Sequence, residues 1–134
     1  MNGDMAERLR SAMNDHDIDR FVGLFDERYR SEQPAHPDRA FTGREQVREN
    51  WSSVFAGVPD FHAELLDSAG DGETLWTEWR WTGTHADASP LDIAGVIVFG
   101  VRDDRLAWAR LYVEPVEQAG AGIDAAVRRM AGSE

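Results

Sequence analysis

The apolar positions of this chain change their spacing once, near residue 60. Before that point they recur at helical intervals. Met5, Leu9, Ala12 and Met13 fall on one face of a first helix. Asp17 is placed to cap a short second helix whose apolar face is Ile18, Phe21, Val22 and Phe25. Tyr29 to Gln33 then reads as a short extended segment, ended by Pro34. Residues 34–41 form a polar, proline-containing loop that carries His36. Thr42 and Glu45 have the spacing of a capping box, which predicts a third helix burying Val47, Trp51, Val54, Phe55 and Val58 and stopped by Pro59.

From Phe61 the period is two. Phe61 to Ala69 and Glu73 to Thr84 are predicted strands joined at Gly70-Asp71-Gly72. Leu91 to Arg102 and Leu106 to Pro115 are two more, joined at Asp103-Asp104. A last short helix, roughly Ile123 to Met130, follows the flexible stretch Ala119 to Gly122. Helices first and an antiparallel meander afterwards predict an α+β fold, with helices packed on one face of a curved sheet. In the third of these strands, Leu91, Ile93, Ile97 and Phe99 occupy one face and Ala94, Val96 and Val98 the other. Both faces are apolar. Helices can cover one, and the simplest cover for the other is a second copy, so a homodimer through the outer sheet face is expected.

Composition narrows the chemistry. A chain of 134 residues with 42% hydrophobic positions has the length and apolar content of one folded domain. It contains no cysteine, which removes thiol nucleophiles, thiolate metal sites and disulfides, and fits a reducing compartment. No apolar run approaches a membrane span, and the acidic start lacks the apolar stretch of a signal peptide, so a cytoplasmic protein is expected. The net charge of -11 argues against nucleic acid as a partner. The histidines, at 16, 36, 62 and 85, lack metal-ligand spacing, and phosphate-loop, dinucleotide and serine-elbow motifs are absent. The expectation is chemistry with no metal and no cofactor.

Four stretches carry a resemblance: DHDIDRFVGLF, FTGREQVRENW, WRWTGTH and RLYVEP. In this order the chain resembles the nuclear transport factor 2-like superfamily, and within it the SnoaL-like, polyketide cyclase-like branch. The resemblance spans roughly residues 5–115, with 116–134 as a C-terminal extension of one domain running from 1 to 134. It implies a cone, a strongly bent and mostly antiparallel sheet wrapped on three helices, with a pocket at the open end and frequent dimerisation. The superfamily includes cyclases, isomerases, dehydratases, epoxide hydrolases and proteins without chemistry, so the reaction must be argued from the site.

Ketosteroid isomerase chemistry requires a carboxylate base with a tyrosine and a protonated acid around the enolate oxygen. By resemblance those places hold Gln33, the neighbourhood of Leu9, and the acid-free IAGVIVF, so that activity is excluded. An epoxide hydrolase design needs two acids and an arginine around one water. Glu78 and Arg80 have the right types, but alternation points them opposite to Trp79 and Trp81. The SnoaL-like branch resembles RLYVEP in carrying an acid near the end of the last strand. That implies Glu114 as catalytic acid or base in a poorly hydrated place, with Arg110 and Tyr112, which share its parity, and with His36 from the loop. Gln33 and His85 are candidate ligand contacts, and Trp79, Trp81 and Phe99 a flat aromatic wall suited to an apolar, even polycyclic, ligand. Trp51, Trp76 and Trp108 are assigned to the core or to a subunit interface. Three outcomes stay open: an acid/base enzyme, a dimeric module that binds a hydrophobic metabolite without reaction, or an epoxide hydrolase of the limonene-epoxide type, which requires Glu78 and Arg80 to face inward.

Overall fold

The computed structural model describes residues 2–132. Three helices, α1 (Asn2–Asn14), α2 (Ile18–Val22) and α3 (Arg44–Gly57), pack on one side of a six-stranded sheet. The strands are β1 (Phe25–Glu32), β2 (Phe41–Thr42), β3 (His62–Gly70), β4 (Thr74–Thr84), β5 (Pro90–Arg102) and β6 (Arg105–Pro115), in spatial order β2-β1-β6-β5-β4-β3. Every neighbouring pair is antiparallel except β1 with β6. A short helix, α4 (Ile123–Ala131), follows the sheet. The expected α+β architecture is therefore observed, and no helix among the described residues is long and apolar enough to cross a membrane.

The apolar face of α1 is buried as its spacing predicts, with Met5, Leu9, Ala12 and Met13 each at most 2% exposed. Its last residue ties the helix to the sheet. The Asn14 amide donates to the carbonyl of Ala63 at 2.9 Å and accepts from the Ala63 N–H at 2.7 Å, satisfying backbone on the edge strand β3. Asp17 caps α2 by accepting from the Arg20 N–H. His16 stacks on Phe55 at 4.6 Å and its Nε2 lies 2.9 Å from the Phe61 carbonyl oxygen, so it braces α3 against the start of β3.

Three local expectations are corrected. Phe25 does not extend α2; the chain leaves the helix at Gly23 and Phe25 opens β1, which is longer than the segment expected from Tyr29. Thr42 and Glu45 do not form a capping box. Thr42 is held in β2 opposite Arg30, and α3 begins behind Gly43, whose N–H bonds the Tyr29 carbonyl and whose φ of +102° suits glycine. The loop before it is also partly regular, with a 3-10 turn at Pro37–Arg39.

β5 and β6 approach closely at Gly95. A Cβ at Gly95 would lie 2.1 Å from the Tyr112 carbonyl oxygen and 2.6 Å from the Val113 Cα. Only a residue without a side chain permits that approach. Register then sorts the residues of β4, β5 and β6 onto two faces. Thr77, Ile97 and Leu111 share a row toward the helices, as do Trp81, Ile93 and Pro115. The alternate rows, Trp76–Val98–Arg110 and Glu78–Val96–Tyr112, face outward.

Candidate functional site

Between the concave face of the sheet and α3 lies a cavity of about 400 Å³, within the usual range for small-molecule sites. Its apolar wall comes from Trp51 and Val54 of α3, Trp81 of β4, Phe99 of β5, and Leu111 and Val113 of β6. Rings support one another in this wall; Trp51 stands edge-on to Trp81 at 5.3 Å and to Phe61 at 5.5 Å.

The polar lining has two sources. Tyr29, Ser31 and Gln33 alternate along β1 and its continuation, so all three reach the same side. Asn50 projects from α3 between Val47 and Val54, one helical turn on either side. Tyr29 is 3% exposed, and burial pushes its phenol up to about 12, with a hydrogen bond to Ser31 pulling the other way. The Trp81 indole N–H is buried without a hydrogen-bond partner. By contrast the Trp79 indole donates to the Thr77 hydroxyl at 2.7 Å, which in turn donates to the Ile97 carbonyl at 2.9 Å.

At the cavity mouth two side-chain pairs meet. His36 Nε2 is 2.7 Å from Glu114 Oε2, joining the loop after β1 to the end of β6. Arg39 Nη1 donates to Gln33 Oε1 at 3.0 Å. Guanidinium has no acceptor, so this bond fixes which end of the Gln33 amide is oxygen and leaves its NH₂ as the group available to a ligand. Asn50 accepts at Oδ1 from Gln46 at 2.8 Å.

The residues singled out from the sequence separate into three groups. Gln33, Trp81, Phe99 and Glu114 line the cavity, and His36 joins them through Glu114. Trp79 is 1% exposed and lies in the packed core beneath the wall rather than on it. Arg110, Tyr112 and His85 stand elsewhere. Arg110 lies over the Trp108 ring at 4.7 Å and Tyr112 is 45% exposed, both on the outer face. His85 sits in the β4–β5 turn, away from the lining. The expectation that Arg110 and Tyr112 accompany Glu114 followed strand parity. It fails because Glu114, the penultimate residue of β6, reaches the mouth past the end of the strand while its backbone row, Arg80–Ala94–Glu114, is an outer one. Nor is Glu114 in a dry place: its side chain is 49% exposed and that of His36 36%. Glu78 and Arg80 point outward, where Arg80 makes a two-pronged pair with Asp92 at 2.5 and 2.8 Å, so an epoxide-hydrolase centre built on them is excluded.

Sequence reading missed Arg39, Tyr29, Ser31 and Asn50. The alternation of Tyr29, Ser31 and Gln33 was a usable signal, as was the helical spacing of Asn50. Arg39 offered none, because it reaches the mouth through the path of an irregular loop.

A bent α+β cup with an aromatic wall and a polar mouth defines a small-molecule-pocket architecture. The SnoaL-like domain family matches residues 6–109, and the chain belongs to it. Among solved structures it is similar to IdmH, a proposed polyketide cyclase from Streptomyces antibioticus, at 20% identity and TM-score 0.72 over 85% of this chain and 91% of that one. It is similar also to a ketosteroid isomerase-like fold protein of Catenulispora acidiphila in complex with trimethylamine, at 15% identity and TM-score 0.69 over 79% and 82% of the two chains. A cystatin-fold protein of Novosphingobium aromaticivorans shares 24% identity and TM-score 0.66 over 81% and 95%. At these identities the likeness establishes the fold. No curated protein matches the sequence.

Proposed function

We propose that this chain is a cofactor-independent acid/base enzyme acting on an apolar ring compound that bears a carbonyl or comparable oxygen. The observation that carries this reading is the pairing of an aromatic cavity with an ionisable and hydrogen-bonding cluster confined to its mouth. The ring system lies against Trp81, Phe99 and Trp51. The substrate oxygen takes its hydrogen bond from the Gln33 NH₂ and the Arg39 guanidinium, which offers charge-assisted donors where negative charge develops on an enolate or alkoxide. Glu114 moves the proton at the neighbouring carbon or oxygen, and His36, in contact with its second oxygen, orients it and shares the proton. Cyclisation, isomerisation, dehydration and water addition each include such a proton transfer beside the bond they make or break. Membership in the SnoaL-like family and the cyclase assignment of IdmH support it.

A second reading, a module that binds an apolar metabolite without reaction, is favoured by one observation: Glu114, the carboxylate at the mouth, is half-exposed to bulk water rather than enclosed with a ligand. One set of measurements separates the two. Ring ketones, quinones and polyketides are screened for a rise in melting temperature, since specific binding stabilises in proportion to ligand excess. The best binder is then incubated with wild type and Glu114→Gln. Enzymatic action predicts a turnover loss of about 10²- to 10⁴-fold with unchanged melting temperature and binding. Full activity in Glu114→Gln would sink the assignment, and binding with no turnover in wild type would leave the module.

A further inference from the structure

The chemistry at the mouth leaves one polar pair of the cavity unused. Tyr29 and Ser31 line it from β1, and each is 3% exposed. They alternate with Gln33, so one line of side chains runs from the buried end of the cavity to its mouth. At the inner end Tyr29 is held by rings, edge-on to Phe25 at 4.8 Å and to Phe41 at 6.1 Å. Its backbone is fixed as well, because its carbonyl accepts from the Gly43 N–H at 2.6 Å. The phenol therefore has little freedom to seek a partner, and a partner must come to it.

The Tyr29 and Ser31 hydroxyls are joined by a hydrogen bond. Each hydroxyl brings one proton, and a single hydrogen bond uses only one of them. A proton is left over whichever way the bond points. Among the described residues neither hydroxyl has a further protein partner. Burial keeps the phenol protonated far above neutral pH, so it remains a donor there. A ligand that covers this pair without accepting the spare proton leaves a buried donor unpaired, which is costly. Between the pair and the mouth the facing wall is Val54, Phe99, Leu111 and Val113, which offers no polar group. The rise of an extended strand sets Tyr29 and Gln33 about 13 Å apart along the chain.

We propose that Tyr29, supported by Ser31, is an inner hydrogen-bond donor to the ligand, and that the ligand is an elongated apolar body with an oxygen at each end. One oxygen meets Gln33 and Arg39 at the mouth, and the other meets the phenol at depth. The assignment, which rests on the cavity being the small-molecule site, makes length and a second oxygen the determinants of specificity. A short ring compound satisfies one end only. A long compound with a single oxygen leaves the inner proton unpaired, and a site built to hydrogen-bond an oxygen discriminates against a ligand that lacks it.

The test titrates three phenols into the full chain by calorimetry. They are para,para′-dihydroxybiphenyl, long and oxygenated at both ends; para-hydroxybiphenyl, as long with one oxygen; and hydroquinone, two-ended but short. Wild type is expected to bind the dihydroxybiphenyl most tightly. Tyr29→Phe keeps the ring and is expected to raise the Kd of that compound by about 5- to 10-fold. The same change should move the monohydroxy compound by less than about twofold, since its oxygen can sit at the mouth. Ser31→Ala keeps the phenol but removes its support, and should shift the dihydroxybiphenyl in the same direction by a smaller factor. It carries the comparison if Tyr29→Phe fails to fold. Equal weakening of both biphenyls would make Tyr29 a packing residue and overturns the proposal. So does unchanged affinity in both variants, hydroquinone binding as tightly as the dihydroxybiphenyl, or neither biphenyl binding wild type. Proton transfer at the mouth is judged separately, by turnover in Glu114→Gln. The inner donor can stand in a protein that binds without reaction, and can fail in one that reacts.

Discussion

The two faces of one sheet differ more than any two separate parts of this molecule. On β4, Trp79 is 1% exposed and its indole is satisfied by Thr77, whereas Trp76, three residues earlier, is 52% exposed. The same residue type is a structural keystone on one side and an open surface on the other. The inner face collects apolar side chains around a cavity whose few polar groups are Tyr29 and Ser31 of β1, Gln33 just beyond it, and Asn50 of α3 opposite. The outer face mixes aromatics with charges, among them Arg80–Asp92 and Arg110 over Trp108. The inner face encloses a cavity under apolar cover, and the outer face leaves aromatic rings and charges side by side at the surface.

The strongest way to break this contrast is to cut back both tryptophans. Trp79→Ala is expected to cost about 3–5 kcal/mol, from lost burial and the cavity left behind. Trp76→Ala should stay within about 1 kcal/mol in the same denaturation. Equal losses would mean the outer face is as packed as the inner. Next in size is Gly95→Ala. The added methyl collides with backbone, not with a flexible side chain tip, so β5 and β6 must separate and the sheet flatten. A loss of about 1–3 kcal/mol is expected in urea unfolding, together with loss of ligand-induced stabilisation.

The chain has two tyrosines, one on each face. Tyr29 titrates at about 12 in the folded protein against 10.0 for an unburied phenol. Its folded value is raised, so its contribution to stability is complete below pH 10 and is lost as pH rises through 12. Phenolate absorbance should show a late step that Tyr29→Phe removes and Tyr112→Phe leaves in place. The smallest effect is local and lies at acid pH. Arg80, and then Gln118, hold Asp92 down to about 2. A depressed carboxylate stabilises above its unfolded value of 3.8 and loses that effect as pH falls through about 2. Pepsin cleavage within residues 116–122 should therefore rise between pH 4 and pH 2, and Asp92→Asn should show the pH 2 behaviour already at pH 4.

Periodicity made much of the fold legible. The alternation in β3 to β6, interrupted at Leu66 and near Gly100, the turns at Gly70–Gly72 and Asp103-Asp104, and the buried stripe of α1 are local patterns carried into the fold. The Thr42–Glu45 spacing did not survive, because pairing of β2 with β1 claimed Thr42 for the sheet. The same limit applied at the site. Parity placed Trp81 and Phe99 inside, and it placed Glu78 and Arg80 outside. It misplaced Arg110 and Tyr112 relative to Glu114, since a side chain at a strand end can reach past that end and residues further in cannot.

The sequence by itself determined the elements, the two-sided character of each strand and the membership in the family, because these rest on spacing between near neighbours and on side-chain type. Tertiary structure alone decided that His36 meets Glu114 across 78 positions and that Arg39 orients Gln33. It also decided that the tail is pinned to Asp92. Those contacts depend on where the sheet brings loop and strand end together, and that is decided by pairing between strands far apart in the chain, such as β1 with β6.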